Sequence, residues 1–213
     1  MILQFSASAI CPDASNDPYE YLWSIEGSII DSLDEPHSPD EERTVANIEL
    51  TYLRLDEVEE LGGDSFELFD TSRALLEVWD DLYRRNEMGS IIFKDNIARY
   101  LRENGIAKPF LNLMVIRYIE VIAPYRGKGL AKKMITESTK LFGQGSDLIA
   151  LIPSPISPRD FKLESHPALR SPDDNDADHP PLQTLINMYK TMGFVQSEGR
   201  TMVSTSRKLK LTI

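Results

Sequence analysis

Ile119-Glu120-Val121-Ile122-Ala123-Pro124-Tyr125-Arg126-Gly127-Lys128-Gly129-Leu130-Ala131 is the stretch whose reading decides the fold. Leu111 to Ile122 is nearly continuous apolar sequence rich in β-branched residues, which predicts a central strand covered on both faces. Downstream, Met134, Ile135, Leu141 and Phe142 recur at helical spacing until Gly143 and Gly145, and Asp147 to Ile152 reads as a second short buried strand. Strand, glycine turn, helix, strand is a βαβ order. In the turn, two glycines let the backbone curl tightly, and the helix start beyond them presents unpaired N–H groups with partial positive charge. Such a turn suits phosphate oxygens, and Arg126, Lys128, Lys132 and Lys133 surround it with basic side chains. The spacings of a mononucleotide P-loop and of a dinucleotide-binding turn are both absent. A plain tight turn with a solvated lysine is the competing reading.

Beyond the second strand, residues 153–181 hold seven of the 13 prolines and the acidic run Asp173-Asp174-Asn175-Asp176-Ala177-Asp178, so they read as a long loop or insertion. Leu182, Leu185, Ile186, Tyr189 and Met192 then predict a helix ending at Gly193, and Phe194 to Leu211 supplies one or two closing strands. Upstream, residues 2–8 predict a short strand, and Val45 to Leu55 a further one with Tyr21 to Ile30 as its antiparallel partner. Asp31 to Glu42, acidic and interrupted by Pro36 and Pro39, reads as an exposed loop. Leu75, Val78, Trp79, Leu82 and Tyr83 mark an amphipathic helix behind a Thr71 or Ser72 cap and before Gly89, and Asp95 to Asn104 a shorter one before Gly105.

The 213 residues are 41% hydrophobic and 27% charged, as for one globular domain with a substantial core. No run of roughly 18 apolar residues occurs, and the first residues lack a signal-like segment, so a cytoplasmic protein without membrane partners is expected. One cysteine, Cys11, and three scattered histidines, His37, His166 and His179, exclude a disulfide scaffold and a zinc-folded one. A net charge of −11 repels phosphate backbones and favours cationic partners, which makes nucleic acid an unfavoured main partner.

The turn Arg126-Gly127-Lys128-Gly129-Leu130-Ala131 matches Arg/Gln-x-x-Gly-x-Gly/Ala, and here the sequence resembles the GNAT (Gcn5-related N-acetyltransferase) superfamily. Leu185-Ile186-Asn187-Met188-Tyr189-Lys190-Thr191-Met192-Gly193-Phe194 resembles the second motif of that superfamily, a helix with a tyrosine four residues before Gly-Phe. Together the motifs span roughly residues 112–196, while the first 110 residues match only loosely. The resemblance implies a single α/β (α+β) domain over 1–213: a GNAT-like mixed, mostly antiparallel sheet flanked by helices, with a splayed central strand pair forming an acyl-CoA cleft. Residues 1–110 would be the variable acceptor-side half and 111–213 the acyl-CoA-binding half, carrying the 153–181 insertion. That insertion departs from the short link usual in the family.

The same resemblance implies acetyl transfer from acetyl-CoA to an amine by direct attack in a ternary complex, with no metal and no covalent enzyme intermediate. Arg126, Gly127, Lys128, Gly129, Leu130 and Ala131 would hold the pyrophosphate; Ile119, Val121 and Ile122 would line the pantetheine arm, with the Val121 N–H on the developing oxyanion. Tyr189 would protonate the leaving thiolate, Asn187 would bond the pantetheine arm, and Glu120 would take a proton from the amine directly or through water. Each has an ordinary alternative: a core tyrosine bonded to a buried partner, a solvent-facing asparagine, a glutamate paired with Arg117 or simply exposed. Glu164 and His166, in the long loop, are further acceptor-side candidates. The acceptor, its charge, the acyl length and the choice between monomer and homodimer stay open, and a CoA-binding sensor or interaction module is the alternative function. A toxin acting on charged tRNA uses the same fold and is disfavoured by the net charge.

Overall fold

Residues 43–53 alternate between buried and half-exposed side chains and lie inside a seven-stranded sheet. The computed structural model describes residues 1–9, 21–31, 43–88, 90–108, 111–143, 145–154 and 181–211. In chain order the elements are β1 (Ile2–Ala9), β2 (Leu22–Asp31), β3 (Arg43–Leu53), α1 (Leu55–Glu60), α2 (Phe66–Phe69), α3 (Arg73–Leu82), β4 (Tyr83–Arg85), β5 (Ile91–Phe93) and α4 (Asp95–Glu103). They continue with β6 (Leu113–Val121), α5 (Leu130–Phe142), β7 (Leu148–Leu151), α6 (Leu182–Thr191), β8 (Val195–Gln196), β9 (Met202–Thr205) and α7 (Ser206–Leu211).

The large sheet runs β1-β2-β3-β6-β7-β9-β8, and among the described residues every neighbouring pair is antiparallel except β6 and β7. These two are joined through α5, as a parallel crossover requires. Core side chains lie on both faces. On one, Leu53, Leu113, Val115 and Leu148 pack beneath α1–α4, where Trp79 stacks on Tyr83 at 4.9 Å and meets Phe69 at 5.1 Å. On the other, Ile48, Leu50, Met114, Ile116 and Ile149 meet Met134 and Ile135 of α5, Tyr189 of α6 and Leu209 of α7. The result is a mixed, mostly antiparallel sheet with helices on both faces.

Several expectations change. The helix behind Ser72 is capped as expected, the Ser72 hydroxyl accepting from the Leu75 N–H at 3.3 Å, but it ends at Leu82, well before Gly89. Tyr83 starts a hairpin instead, pairing with Phe93, because its ring completes the aromatic cluster with Trp79 and Phe69. The closing segment after Phe194 forms β8 and β9 and then turns into the helix α7 rather than remaining extended to Leu211. The acidic loop beyond Asp31 and the insertion from residue 155 to 180 lie outside the described residues, as do Glu164 and His166.

Candidate acyl-CoA cleft

Only Leu113–Ile116 of β6 pair with Leu148–Leu151 of β7, and β6 continues alone to Val121. The ladder between the two strands therefore ends at Ile116 and Leu151. Along the other side β6 stays on β3, and the Ile122 N–H donates to the Val45 carbonyl at 3.1 Å. Because N–H groups alternate between the edges of a strand, that of Val121 faces away from β3, on the edge of β6 that runs past β7. The Val121 carbonyl on the same side accepts from Arg126 Nε at 2.9 Å, and among the described residues the N–H there has no hydrogen-bond partner.

The strand itself is irregular at this point. Leu50 lies opposite Ile116, whereas Glu49 lies opposite Tyr118, so Arg117 is the extra residue of a bulge. Met114 and Ile116 face the α5–α6 core; without the bulge Tyr118 and Glu120 would follow them onto that face. With it, Ile119 and Val121 pack toward that core, and Tyr118 and Glu120 turn to the opposite face. The expectation of a strand covered throughout on both faces is thus corrected: burial is complete from Leu113 to Ile116, Arg117 is exposed, and Ile119, Glu120 and Val121 are half-buried.

Glu120 has a different partner from the one weighed in the sequence. The Tyr118 hydroxyl donates to its carboxylate, and no Glu120–Arg117 ion pair occurs. Burial first, then that hydrogen bond and the charges of Glu120 and Glu49, push the Tyr118 hydroxyl far above its ordinary value. It therefore remains a donor. Tyr118 was not recognised from the sequence, although Tyr-x-Glu in a strand places both side chains on one face.

After β6 the chain makes a 3-10 turn, Ala123–Tyr125, then passes Gly127 at φ 74° and Gly129 at φ 77° into α5. Both angles are left-handed, which explains glycine at each position. Gly129 is the N-cap of α5, has no side chain to offer, and accepts the first helical bond from the Lys133 N–H at 3.0 Å. The N–H groups of Leu130, Ala131 and Lys132 thus open a 13-residue helix with no acidic residue in its first turn. Leu130 is buried and fixes the helix start, while Lys128, Lys132 and Lys133 are exposed around it. That arrangement favours an anion.

Tyr189, on α6, is only 8% exposed, and its ring packs edge-on against Phe194 at 5.9 Å, in the core cluster against which Ile119 and Val121 also pack. Among the described residues its hydroxyl has no hydrogen-bond partner. Burial pushes that hydroxyl up to about 12. Asn187 is exposed and accepts from Gln183 Nε2 at 3.0 Å one helical turn away, the solvent-facing alternative. The fold accordingly gathers the 126–131 turn, the stretch of β6 at Ile119 and Val121 that β7 does not pair, and Tyr189 around one core cluster, and sets Glu120 on the other face and Asn187 outside.

Comparison with models of known protein families finds no match, and comparison with curated proteins finds none either. Among solved structures, the chain is similar to a tyrosine-to-phenylalanine mutant of KacT, at 6% identity and TM-score 0.43, over 91% of this chain and 76% of that one. It is also similar to a KacTA–DNA complex, at 8% identity and TM-score 0.41, over 98% and 96% of the two chains. A third is AtaTR bound with AcCoA, at 9% identity and TM-score 0.39, over 90% and 74%. At such values the likeness carries nothing on activity, substrate or partners. Among the described residues, no helix is long and apolar enough to cross a membrane, and no group of three or more His, Cys, Asp or Glu side chains is arranged to hold a metal ion.

Proposed function

We propose that this chain is an acetyl-CoA-dependent N-acetyltransferase acting on an amine. The observation that carries the reading is that β6 runs on past the end of its ladder with β7 and leads into an α5 N-terminus that no side chain caps. In this reading the N–H groups of residues 130–132, with Lys128, Lys132 and Lys133, bind the pyrophosphate, and β6 at Ile119 and Val121 takes the pantetheine arm. The Val121 N–H donates to the thioester oxygen as negative charge develops there. The amine nitrogen forms its bond to the carbonyl carbon, the carbon–sulfur bond breaks, and Tyr189 gives its proton to the departing thiolate. Glu120 receives the proton lost by the amine directly or through water, a role its position across the sheet confines to an acceptor approaching from that face.

Purified protein mixed with acetyl-CoA and a panel of primary amines tests this by release of free thiol. Amine-dependent release above the rate with acetyl-CoA alone is expected. Binding of acetyl-CoA without release for any amine would favour the sensor or interaction module, and no binding would remove both.

A further inference from the structure

The turn at 126–131 is not held by packing of its glycines: a Cβ built on Gly127 or Gly129 meets nothing within 4 Å, and both are exposed. Its anchors are side chains. Arg126 Nε ties it to the Val121 carbonyl at 2.9 Å. Tyr125 reaches further, its hydroxyl donating to Asp31 Oδ2 at 2.5 Å, a contact between residues 94 apart in the chain. Asp31 is the last residue of β2, in register with Arg43 at the start of β3. Over the same Tyr125 ring, the Lys128 ammonium stands 4.5 Å from the ring centroid.

We infer that Asp31, acting through Tyr125, is a positioning residue that holds Lys128 at the mouth of the 126–131 turn before an anionic ligand arrives. The inference rests on the proposed acetyl-CoA site and names a part of it that neither the glycine spacing nor the resemblance indicates. A free lysine must give up its rotamers when it meets a phosphate, and stationing it on a ring in advance removes part of that cost. The ring can serve as a platform only if it is itself fixed. The carboxylate supplies this through a charge-assisted bond, and by drawing on the hydroxyl proton it enriches the ring face that attracts the ammonium. Consistently, the Tyr125 hydroxyl is shifted upward, with the bond to Asp31 as the largest cause.

The competing role for Asp31 has the opposite sign. As a bare negative charge near a phosphate site it would weaken an anionic ligand, so its removal would tighten binding. The test is calorimetric titration of CoA into the full chain and its Asp31→Ala, Asp31→Asn, Tyr125→Phe and Asp31→Ala/Tyr125→Phe variants, each with a thermal melt. S-acetylpantetheine, which has no phosphate, is titrated in parallel by NMR. Asp31→Ala and Tyr125→Phe are each expected to weaken CoA about three- to tenfold, with the double variant no worse than the weaker-binding single one. Asp31→Asn, which keeps an acceptor oxygen without the charge, is expected to recover most of the loss, and S-acetylpantetheine to be unaffected throughout. CoA binding to Asp31→Ala that is as tight as in the wild type, or tighter, would overturn the inference, as would an equal loss for S-acetylpantetheine. If Asp31→Ala does not fold, Tyr125→Phe decides alone, since it keeps the ring and removes only the bond. A wild-type chain that does not bind CoA would overturn the site itself, whereas wild-type binding with unchanged variants removes only the role of Asp31.

Discussion

Tyr189→Phe is expected to lower kcat by about 10²–10⁴-fold, the usual worth of a positioned general acid, while the melting temperature and the affinity for acetyl-CoA hardly move. The variant deletes one oxygen and keeps the ring that packs on Phe194. A core tyrosine bonded to a buried partner would lose about 1 kcal/mol of stability on the same change, but among the described residues the Tyr189 hydroxyl has no such partner. Its proton is also held tightly. With the hydroxyl raised by burial to about 12, the donor stays neutral through ordinary assay pH, so kcat/KM should lack a limb from this residue near 10. The sign for stability follows: burial favours the neutral phenol, so this contribution is intact below about 10 and is lost as pH rises through about 12. Stability lost with unchanged kcat would take Tyr189 off the catalytic path.

Gly129→Glu should weaken acetyl-CoA binding by about a hundredfold or more, because it sets a carboxylate against the pyrophosphate at short range. Steric blockage within the protein is not the cause, since the space around Gly129 is open. The φ of 77° adds strain of about 1–2 kcal/mol for any residue with a Cβ, and Gly129→Ala measures that part alone. Calorimetry on the pair separates the two: a modest loss for alanine and a near-complete one for glutamate are expected. Unchanged affinity in Gly129→Glu would remove the turn from the ligand site.

What could be read beforehand follows local chemistry. The β-branched run before Ala123, the glycines at 127 and 129 and the apolar stripe of α5 each state one element in adjacent residues, and all three elements lie where expected, although Leu141 of that stripe is exposed. The hairpin at 83–93 was hidden because Tyr83 also continues the helical stripe of Leu75, Val78, Trp79 and Leu82; only its contacts with Phe69 and Phe93 decide against helix. At the C-terminal end, Leu209 packs on the core as part of α7, a tertiary contact that outweighs the extended reading of the closing segment. The bulge at Arg117 was equally illegible, since it depends on the register between β3 and β6. Without it the strand pattern assigns Glu120 to the wrong face. Site contacts between distant segments, such as Tyr125 with Asp31, likewise need the fold before they can be seen. Tyr118 and Glu120 are the exception: two residues apart on one strand, their contact is legible in the sequence as Tyr-x-Glu.

A crystal structure with acetyl-CoA is the most direct test of the cleft. Pyrophosphate oxygens are expected within hydrogen-bond distance of the N–H groups of residues 130–132, the pantetheine arm along β6 at Ile119 and Val121, and the thioester sulfur within reach of the Tyr189 hydroxyl. A ligand bound elsewhere on the chain, with the 126–131 turn untouched, would contradict that placement.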